Sequence, residues 1–349
     1  MTPSRLRAIL PFVLLAAVSC GDDPAPSQPT TDADLAVDAS PDVAEDPAVD
    51  APEDTALDVA VDVPEDTAEP DATSGPDVPQ TPDYRDAELS TETEGTATVL
   101  TYNVAGLPQG ISSSNPVEYI PLISPLLDSY DLVLAQEDFW YHHELLSQTH
   151  HPYISYPSRE MPTYIDIGDG LNRFSVFPFG AFERVAWGMC FGSVDCASDC
   201  LATKGFSVAT TLLADGAEVD VYNLHAEAGG CDGDEIAREF GILRLLDFVQ
   251  VRSAGRAIIM GGDFNLHVDS DAVDSALYQR LVDGLALRDT CRELGCGDGR
   301  IDRLLVRSSD SLTLTPLTWA VPPEFVAPDG TPLSDHEPVM IEVRWSVTR

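Results

Sequence analysis

RAIIMGGDFN, residues 256–265, reads as an apolar strand that ends on a carboxylate. The paired glycines Gly261 and Gly262 let the backbone turn tightly at its tip. If the chain stays extended there, Asp263 and Asn265 point the same way, two residues apart. One can orient an attacking water while the other donates a hydrogen bond to a phosphoryl oxygen. A buried carboxylate at a strand tip is costly without a partner. The same arrangement recurs along the chain. TVLTYN (98–103) ends on Asn103, LVLAQE (132–137) on Glu137, and VDVYNLH (219–225) on His225. SDHEPVMIEV (334–343) places Asp335 and His336 just before an apolar run. So many polar tips in one chain point to a shared pocket, with a metal as the natural partner.

Each residue type suits a role there. Glu137 offers a hard oxygen at a strand end, which suits Mg²⁺ (or Mn²⁺ or Co²⁺), and Asn103 can add a neutral oxygen. Asp335 can ligate a metal beside His336. The His336 imidazole, near its unperturbed pKa, can take a proton from water at neutral pH. His225 can hydrogen-bond a phosphoryl oxygen or sit near the leaving group.

The surrounding texture is mixed α/β. TATVLTYNV, DLVLAQE, FSVATTLLA, EVDVYNLHAE, RIDRLLVRS and PVMIEVRW read as further strands. EIAREFGILRLLDFVQVR predicts an amphipathic helix with Ile236, Phe240, Leu243, Leu246 and Val249 on its apolar side. PVEYIPLISPLLDSY predicts another, started near Asn115. Strands and helices alternate imperfectly, so mixed sheets covered by helices are expected in one domain, residues 95–349.

The N-terminal part is of another kind. Residues 1–20 carry Arg5 and Arg7, then a short apolar core, then small residues before Cys20. This resembles a bacterial lipoprotein signal peptide with Cys20 as the lipidated residue, although Ala17 stands where leucine is usual. The core is too short to span a membrane. The expected location is therefore outside the cytoplasm: lipid-anchored to a bacterial membrane facing the periplasm or cell exterior, otherwise secreted. Residues 21–94 form an acidic linker rich in Pro, Ala and Asp, with near copies APEDTA and VPEDTA. Such a segment cannot bury enough surface to offset chain entropy and is expected to be a disordered tether. Its span would be on the order of 50 Å as a coil and roughly 230 Å fully extended.

The chain has 349 residues and a formal net charge of -40. Before position 95 lie 23 acidic and 3 basic residues, which leaves 36 acidic against 16 basic in the domain. Lys204 is the one lysine in the sequence. Gripping nucleic-acid backbone takes several Lys or Arg, so a nuclease is disfavoured. Export permits disulfides. Beyond Cys20, the cysteines are Cys190, Cys196, Cys200, Cys231, Cys291 and Cys296. Cys291–Cys296 is one expected bridge, with the other four pairing among themselves. The rival, a zinc site, lacks two short Cys pairs and a nearby His.

Taken in order, TYNVAGLP, LVLAQED, DGLNRFSVFPF, NLHAEAG, GGDFN, IDRLLV and SDHEPV resemble the successive motifs of the endonuclease/exonuclease/phosphatase superfamily, over about residues 96–345. The resemblance implies a DNase I-like four-layer α/β sandwich, two mixed sheets flanked by helices, with the site at one end. It implies that Glu137 holds the divalent metal, with Asn103 and Asp335 nearby, and that His336 is the general base. Asp302 would orient the polar groups. Asp263 and Asn265 would position water and phosphate, and His225 would stabilise the phosphoryl group. CASDCLATKGFSV and the Cys231-led helix are similar to the bacterial secreted sphingomyelinase C branch. That similarity implies a phosphodiesterase acting on a phospholipid head group at a membrane surface, with Trp319 and Phe325 on a hairpin that dips into lipid. No protein partner is implied. An extracellular nuclease on the same scaffold and a non-catalytic surface lipoprotein are the alternatives. Two departures stand near the phosphate. Leu224-His225-Ala226-Glu227 replaces the usual Thr-His-Leu-Gln, and Arg303 replaces an aromatic residue.

Overall fold

A computed structural model describes residues 87–159, 167–193 and 196–348. The signal segment with Cys20, and the acidic linker up to residue 86, lie outside the described residues. The elements follow as β1 (Glu94–Asn103), α1 (Pro116–Ile123), β2 (Leu132–Gln136), α2 (His142–Leu146), β3 (Tyr153–Ile154) and β4 (Asn172–Ser175). Next come β5 (Glu183–Ala186), β6 (Gly205–Ala214), β7 (Ala217–His225), α3 (Asp232–Arg252), β8 (Ala257–Asp263) and α4 (Ala272–Leu285). The chain ends with β9 (Arg288–Asp289), α5 (Thr290–Leu294), β10 (Asp302–Arg307), β11 (Leu312–Ala320) and β12 (Val339–Val347). No described helix is long and apolar enough to cross a membrane.

The strands form two six-stranded sheets, ordered β11-β12-β1-β2-β4-β3 and β5-β6-β7-β8-β10-β9. β1–β2 and β7–β8 are parallel and the other pairs antiparallel, so both sheets are mixed. Alternation along each strand sends side chains to opposite faces. Val99, Leu134, Val221, Ile259, Leu304 and Ile341 meet between the sheets. Ile258, Met260 and Leu305 face α3 and α4 on one outer side. Leu100, Tyr102 and Val133 face α1 and its neighbours on the other. The result is the expected four-layer sandwich.

Helix α3 forms where expected but turned on its axis. Its inward face is Ala237, Gly241, Ile242, Leu245, Leu246 and Val249, whereas Ile236 and Phe240 are 61% and 43% exposed. The Trp187 ring explains the turn: it lies against Gly241, where an added Cβ would stand 3.0 Å away. A small residue gives close approach that Phe240 would block. The second expected helix ends at Ile123, and Ser124–Ser129 continues as a 3₁₀ turn with Pro125 at its start. Helix α4, absent from the sequence expectation, starts where the Asp271 carboxylate caps the Val273 and Asp274 N–H groups.

Gly262 at the tip of β8 has φ 145°, and a Cβ there would lie 2.0 Å from the Leu224 carbonyl oxygen. Only glycine lets β7 and β8 stay paired at this point. Beneath the site, the Gln136 amide donates to Asn223 Oδ1 at 2.6 Å, and Asn223 donates to the Ala135 carbonyl at 2.8 Å, tying the sheets together with polar groups.

Beside Glu137, the buried Asp138 carboxylate lies 2.5 Å from His142 Nδ1. Burial by itself lowers the His142 pKa, but Asp138 overrides it and raises the imidazole above its ordinary value. The pair therefore stabilises the fold fully below the unfolded histidine value of about 6.5. That contribution is lost as pH rises through the folded value. The urea midpoint of the native protein should fall across this window, and His142→Gln should flatten the fall. An unchanged slope in the variant would remove the pair from the account.

Candidate active site

Strand register assembles the centre. His225, Asp263 and Asp302 stand opposite one another across β7, β8 and β10. The other sheet brings Asn103 at the end of β1 and Glu137 just past β2. Asn103 Nδ2 donates to Glu137 Oε1 at 3.0 Å and to Asp263 Oδ2 at 3.3 Å, bridging the sheets. Its oxygen accepts from the Ala105 N–H at 3.1 Å. The neutral oxygen expected to face a metal is thus engaged with backbone, and the amide nitrogen faces the acids. Ala105 and Glu137 both hold left-handed backbone, φ 49° and 55°. Such conformations cost about 1–3 kcal/mol each and persist where surrounding contacts enforce them.

His336 enters from the loop before β12. Its Nδ1 lies 2.8 Å from Asp302 Oδ2, and its Nε2 lies 3.7 Å from Asp263 Oδ2. His225 Nε2 is 3.4 Å from Asp263 Oδ2 and 4.0 Å from Glu137 Oε1. The chain does not stay extended past Asp263. Asn265 takes a left-handed turn at φ 47°, its N–H donates to Asp263 Oδ1 at 3.0 Å, and its side-chain nitrogen donates to the Ala226 carbonyl at 3.1 Å. Asn265 thus braces Asp263 and the end of β7, where a parallel side-chain pair was expected.

The charges polarise one another. Burial raises the pKa of Glu137 and Asp263. Burial would lower that of His336, but Asp302 and Asp263 outweigh it and hold the ring well above its ordinary value. Burial, with Lys204 and His336 adding to it, pushes His225 well below the ordinary value, so this imidazole is neutral. Without a cation in the site, the surrounding charges favour the proton on His336 over His225.

Lys204 was not singled out as a site residue, yet it is buried beside the acids and its charge lowers the pKa of both Glu137 and Asp263. Asp199 holds it at 2.7 Å, and the Ala226 carbonyl accepts from it at 3.2 Å. Its being the one lysine in the chain, next to an expected strand, was the available signal. Disulfides Cys190–Cys200 and Cys196–Cys231 clamp the loop that carries Asp199, and Cys291–Cys296 closes as expected. With these six paired, no free thiolate remains among the described residues for the rival zinc site.

Other expectations change. Asp335 lies exposed at the rim, hydrogen-bonded by Ser113 and Ser334, outside the close group formed by Asp263, Asp302 and His336. Phe325 is a core residue, 3% exposed and edge-on to Tyr102 at 5.0 Å, so it cannot reach a membrane. Trp319, on β11, is half-buried with the Arg300 guanidinium stacked 5.5 Å from its ring. Neither forms a lipid-dipping tip. Arg303 does not line the phosphate site either. Alternation turns it away from Asp302, and it pairs with Asp289 at 2.9 Å over the Tyr278 ring.

The residues present fit a hard divalent cation. Ligand atoms of Asp263, Asp302 and His336 lie within 4.8 Å of one another. Asp302 Oδ1 is buried and has no hydrogen-bond partner among the described residues. Glu137 and Asp263 share the Asn103 amide, and the three acids outnumber the nearby cations. An oxygen-rich set with surplus negative charge suits Mg²⁺ or Mn²⁺ better than a thiophilic metal.

Two packed mixed sheets, with acids and histidines converging at their strand ends, define a class of α/β sandwich. The chain belongs to the Endonuclease/Exonuclease/phosphatase family, whose pattern matches residues 100–336. Sphingomyelinases of Mycobacterium bovis and Mycobacterium tuberculosis are 33% identical over 271 residues, covering 71% of this chain and 52% of theirs. The chain thus spans about half the length of these relatives. A Staphylococcus aureus beta toxin variant with bound magnesium ions aligns at TM-score 0.52 and 16% identity, over 71% of this chain and 99% of that one. D. rerio TDP2 complexed with a single-strand DNA product aligns at TM-score 0.53 and 15% identity, over 71% and 98%. At these identities the structures share the DNase I-like fold.

Proposed function

We propose that the domain is a Mg²⁺-dependent phosphodiesterase that hydrolyses a phospholipid head-group ester, as a sphingomyelinase C does. The observation that carries this reading is the His336–Asp302 pair set against Asp263 and Glu137. The 33% identity to mycobacterial sphingomyelinases supports the substrate class. When bound, the cation neutralises the acids that hold the His336 proton and offsets charge on the phosphoryl oxygens. Glu137, with Asp263 and Asp302 near it, would hold that cation, and Asp335 would act from the rim.

The protein's own groups do the rest. Asp302 fixes His336 through Nδ1, which leaves Nε2 to take a proton from water as the oxygen attacks phosphorus. Asp263 orients that water, and Asn265 keeps Asp263 in place. His225, neutral and close to Asp263, donates to the phosphoryl group as charge develops. Lys204 stabilises the same region from behind. The bond from phosphorus to the lipid alkoxy oxygen breaks, and that oxygen takes a proton from solvent as it leaves, releasing a phosphorylated head group and the alcohol.

Export belongs to the same proposal: Cys20 carries a lipid, the acidic linker forms the tether up to the residues just before β1, where Ser90 and Thr93 already bond to the domain, and the domain works outside the cytoplasm. The three disulfides support an oxidising location. The experiment is a substrate panel with and without EDTA: sphingomyelin, phosphatidylcholine, lysophospholipid, DNA, RNA and an inositol phosphate. EDTA-sensitive release of phosphocholine from sphingomyelin is expected. DNA cleavage that falls steeply with salt, with no phosphocholine released, would make the protein a nuclease. Inactivity on every diester would leave a binding protein.

A further inference from the structure

Helix α3 presents apolar side chains on the side away from its core. Ile236 and Phe240 lie one turn apart on that side. Gly233, one turn earlier, sits under the Phe191 ring, which an added Cβ would approach to 2.3 Å. Met189 lies between Phe191 and Trp187, whose ring covers Gly241 on the same helix. Met189 and Phe191 are 41% and 38% exposed. Loop and helix thus expose Phe191, Ile236 and Phe240 on neighbouring surface, and Met189, two residues before Phe191, is exposed on the same loop. Scattered exposed apolar residues are ordinary, whereas a grouped set marks an interaction surface.

The patch adjoins the reaction centre. The Phe191 N–H donates to the carboxylate of Glu227, two residues past His225. Trp187 Nε1 donates to the His225 carbonyl at 2.8 Å. The disulfides Cys190–Cys200 and Cys196–Cys231 hold this loop to the start of α3.

Charge excludes one class of membrane, and the lipid reading of the adjoining site names the occupant. The exposed ionic neighbours on α3 are Asp232, Glu235, Glu239 and Asp247, against Arg244, whose guanidinium donates to the Trp187 carbonyl at 2.8 Å. The single lysine is the buried Lys204. An anionic membrane would be repelled, and an uncharged or zwitterionic one would not.

We infer that Met189, Phe191, Ile236 and Phe240 form the surface by which the domain docks onto a zwitterionic lipid bilayer, taking the place of the Trp319–Phe325 segment. This rests on the phospholipid reading above. The loop half of the patch hangs from the groups that position His225, so docking would set the reaction centre beside the lipid head groups.

The test uses the full chain with Cys20→Ser, so that no acyl group forms, sedimented with phosphatidylcholine–sphingomyelin vesicles in EDTA to halt turnover. Native side chains should give vesicle binding that Ile236→Gln/Phe240→Gln lowers about tenfold or more, as expected for losing two buried apolar groups. Met189→Gln/Phe191→Gln should do the same. Val273→Gln, at an exposed apolar position on α4 outside the patch, should bind as the parent does. Each variant's thermal midpoint establishes that it is folded. Adding phosphatidylserine should weaken binding, and high salt should relieve that loss. No binding by the parent, unchanged binding by both patch variants, or binding that grows with anionic lipid would overturn the inference. So would a dimer that the patch variants dissociate, because a second copy would then own the surface. Patch-dependent binding without phosphocholine release would sink the substrate reading alone. Sphingomyelin hydrolysis in detergent micelles with patch-independent binding would sink the docking surface alone.

Discussion

His336→Ala should reduce kcat/KM on sphingomyelin by roughly a thousandfold or more while leaving the thermal midpoint near that of the parent. The residue is only partly buried, and its contacts are the site acids Asp302 and Asp263, so its loss removes little packing. On the proposed mechanism, what disappears is the group that accepts the water proton. The loss should fall on kcat, because proton transfer belongs to the transition state and not to lipid binding. The raised pKa of His336 in the metal-free site adds a second expectation. NMR titration of the native protein in EDTA should find this imidazole still protonated at pH values where a free histidine is neutral. Hydrolysis that survives His336→Ala at full rate would remove His336 as the base.

Glu137→Gln should lower Mg²⁺ affinity and turnover at limiting Mg²⁺ by at least about a hundredfold. The change keeps the shape and leaves an oxygen to accept from Asn103 Nδ2. It removes one charge from a site where three acids compete for few cations. Isothermal titration with Mg²⁺ measures the affinity directly, and a partial return of turnover at high Mg²⁺ is expected. Titration curves identical to those of the parent would move the cation to Asp263, Asp302 and His336 and take Glu137 out of its coordination.

Much of this architecture is readable before any coordinates exist. The unbroken apolar run of β8 and the Gly-Gly tip announce a buried strand that ends on an acid, and register then brings His225, Asp263 and Asp302 into line. What the sequence hides is relational. Nothing local says that Gly241 yields to Trp187, so helical spacing puts Ile236 and Phe240 on the apolar side of α3, whereas the structure turns both outward. Phe325 was placed at the surface because its loop looks like a hairpin tip, but Tyr102 and Tyr130 flank it. Lys204 reaches the acids because the pairing of β6 with β7 sets Gly205 opposite His225, and Asp199 then holds its ammonium, a contact that no spacing rule supplies. Asp335 sits next to the base in sequence but outside the cluster in space, since consecutive residues of the loop point different ways.

Asn103 and Glu137 come from one sheet, and His225, Asp263 and Asp302 from the other. On the proposed mechanism neither half holds enough groups to attack a diester, so a partly folded chain would be inert. A cell making this protein would be spared its action until the two halves lock. The first turnover seen during renaturation would then time that closure.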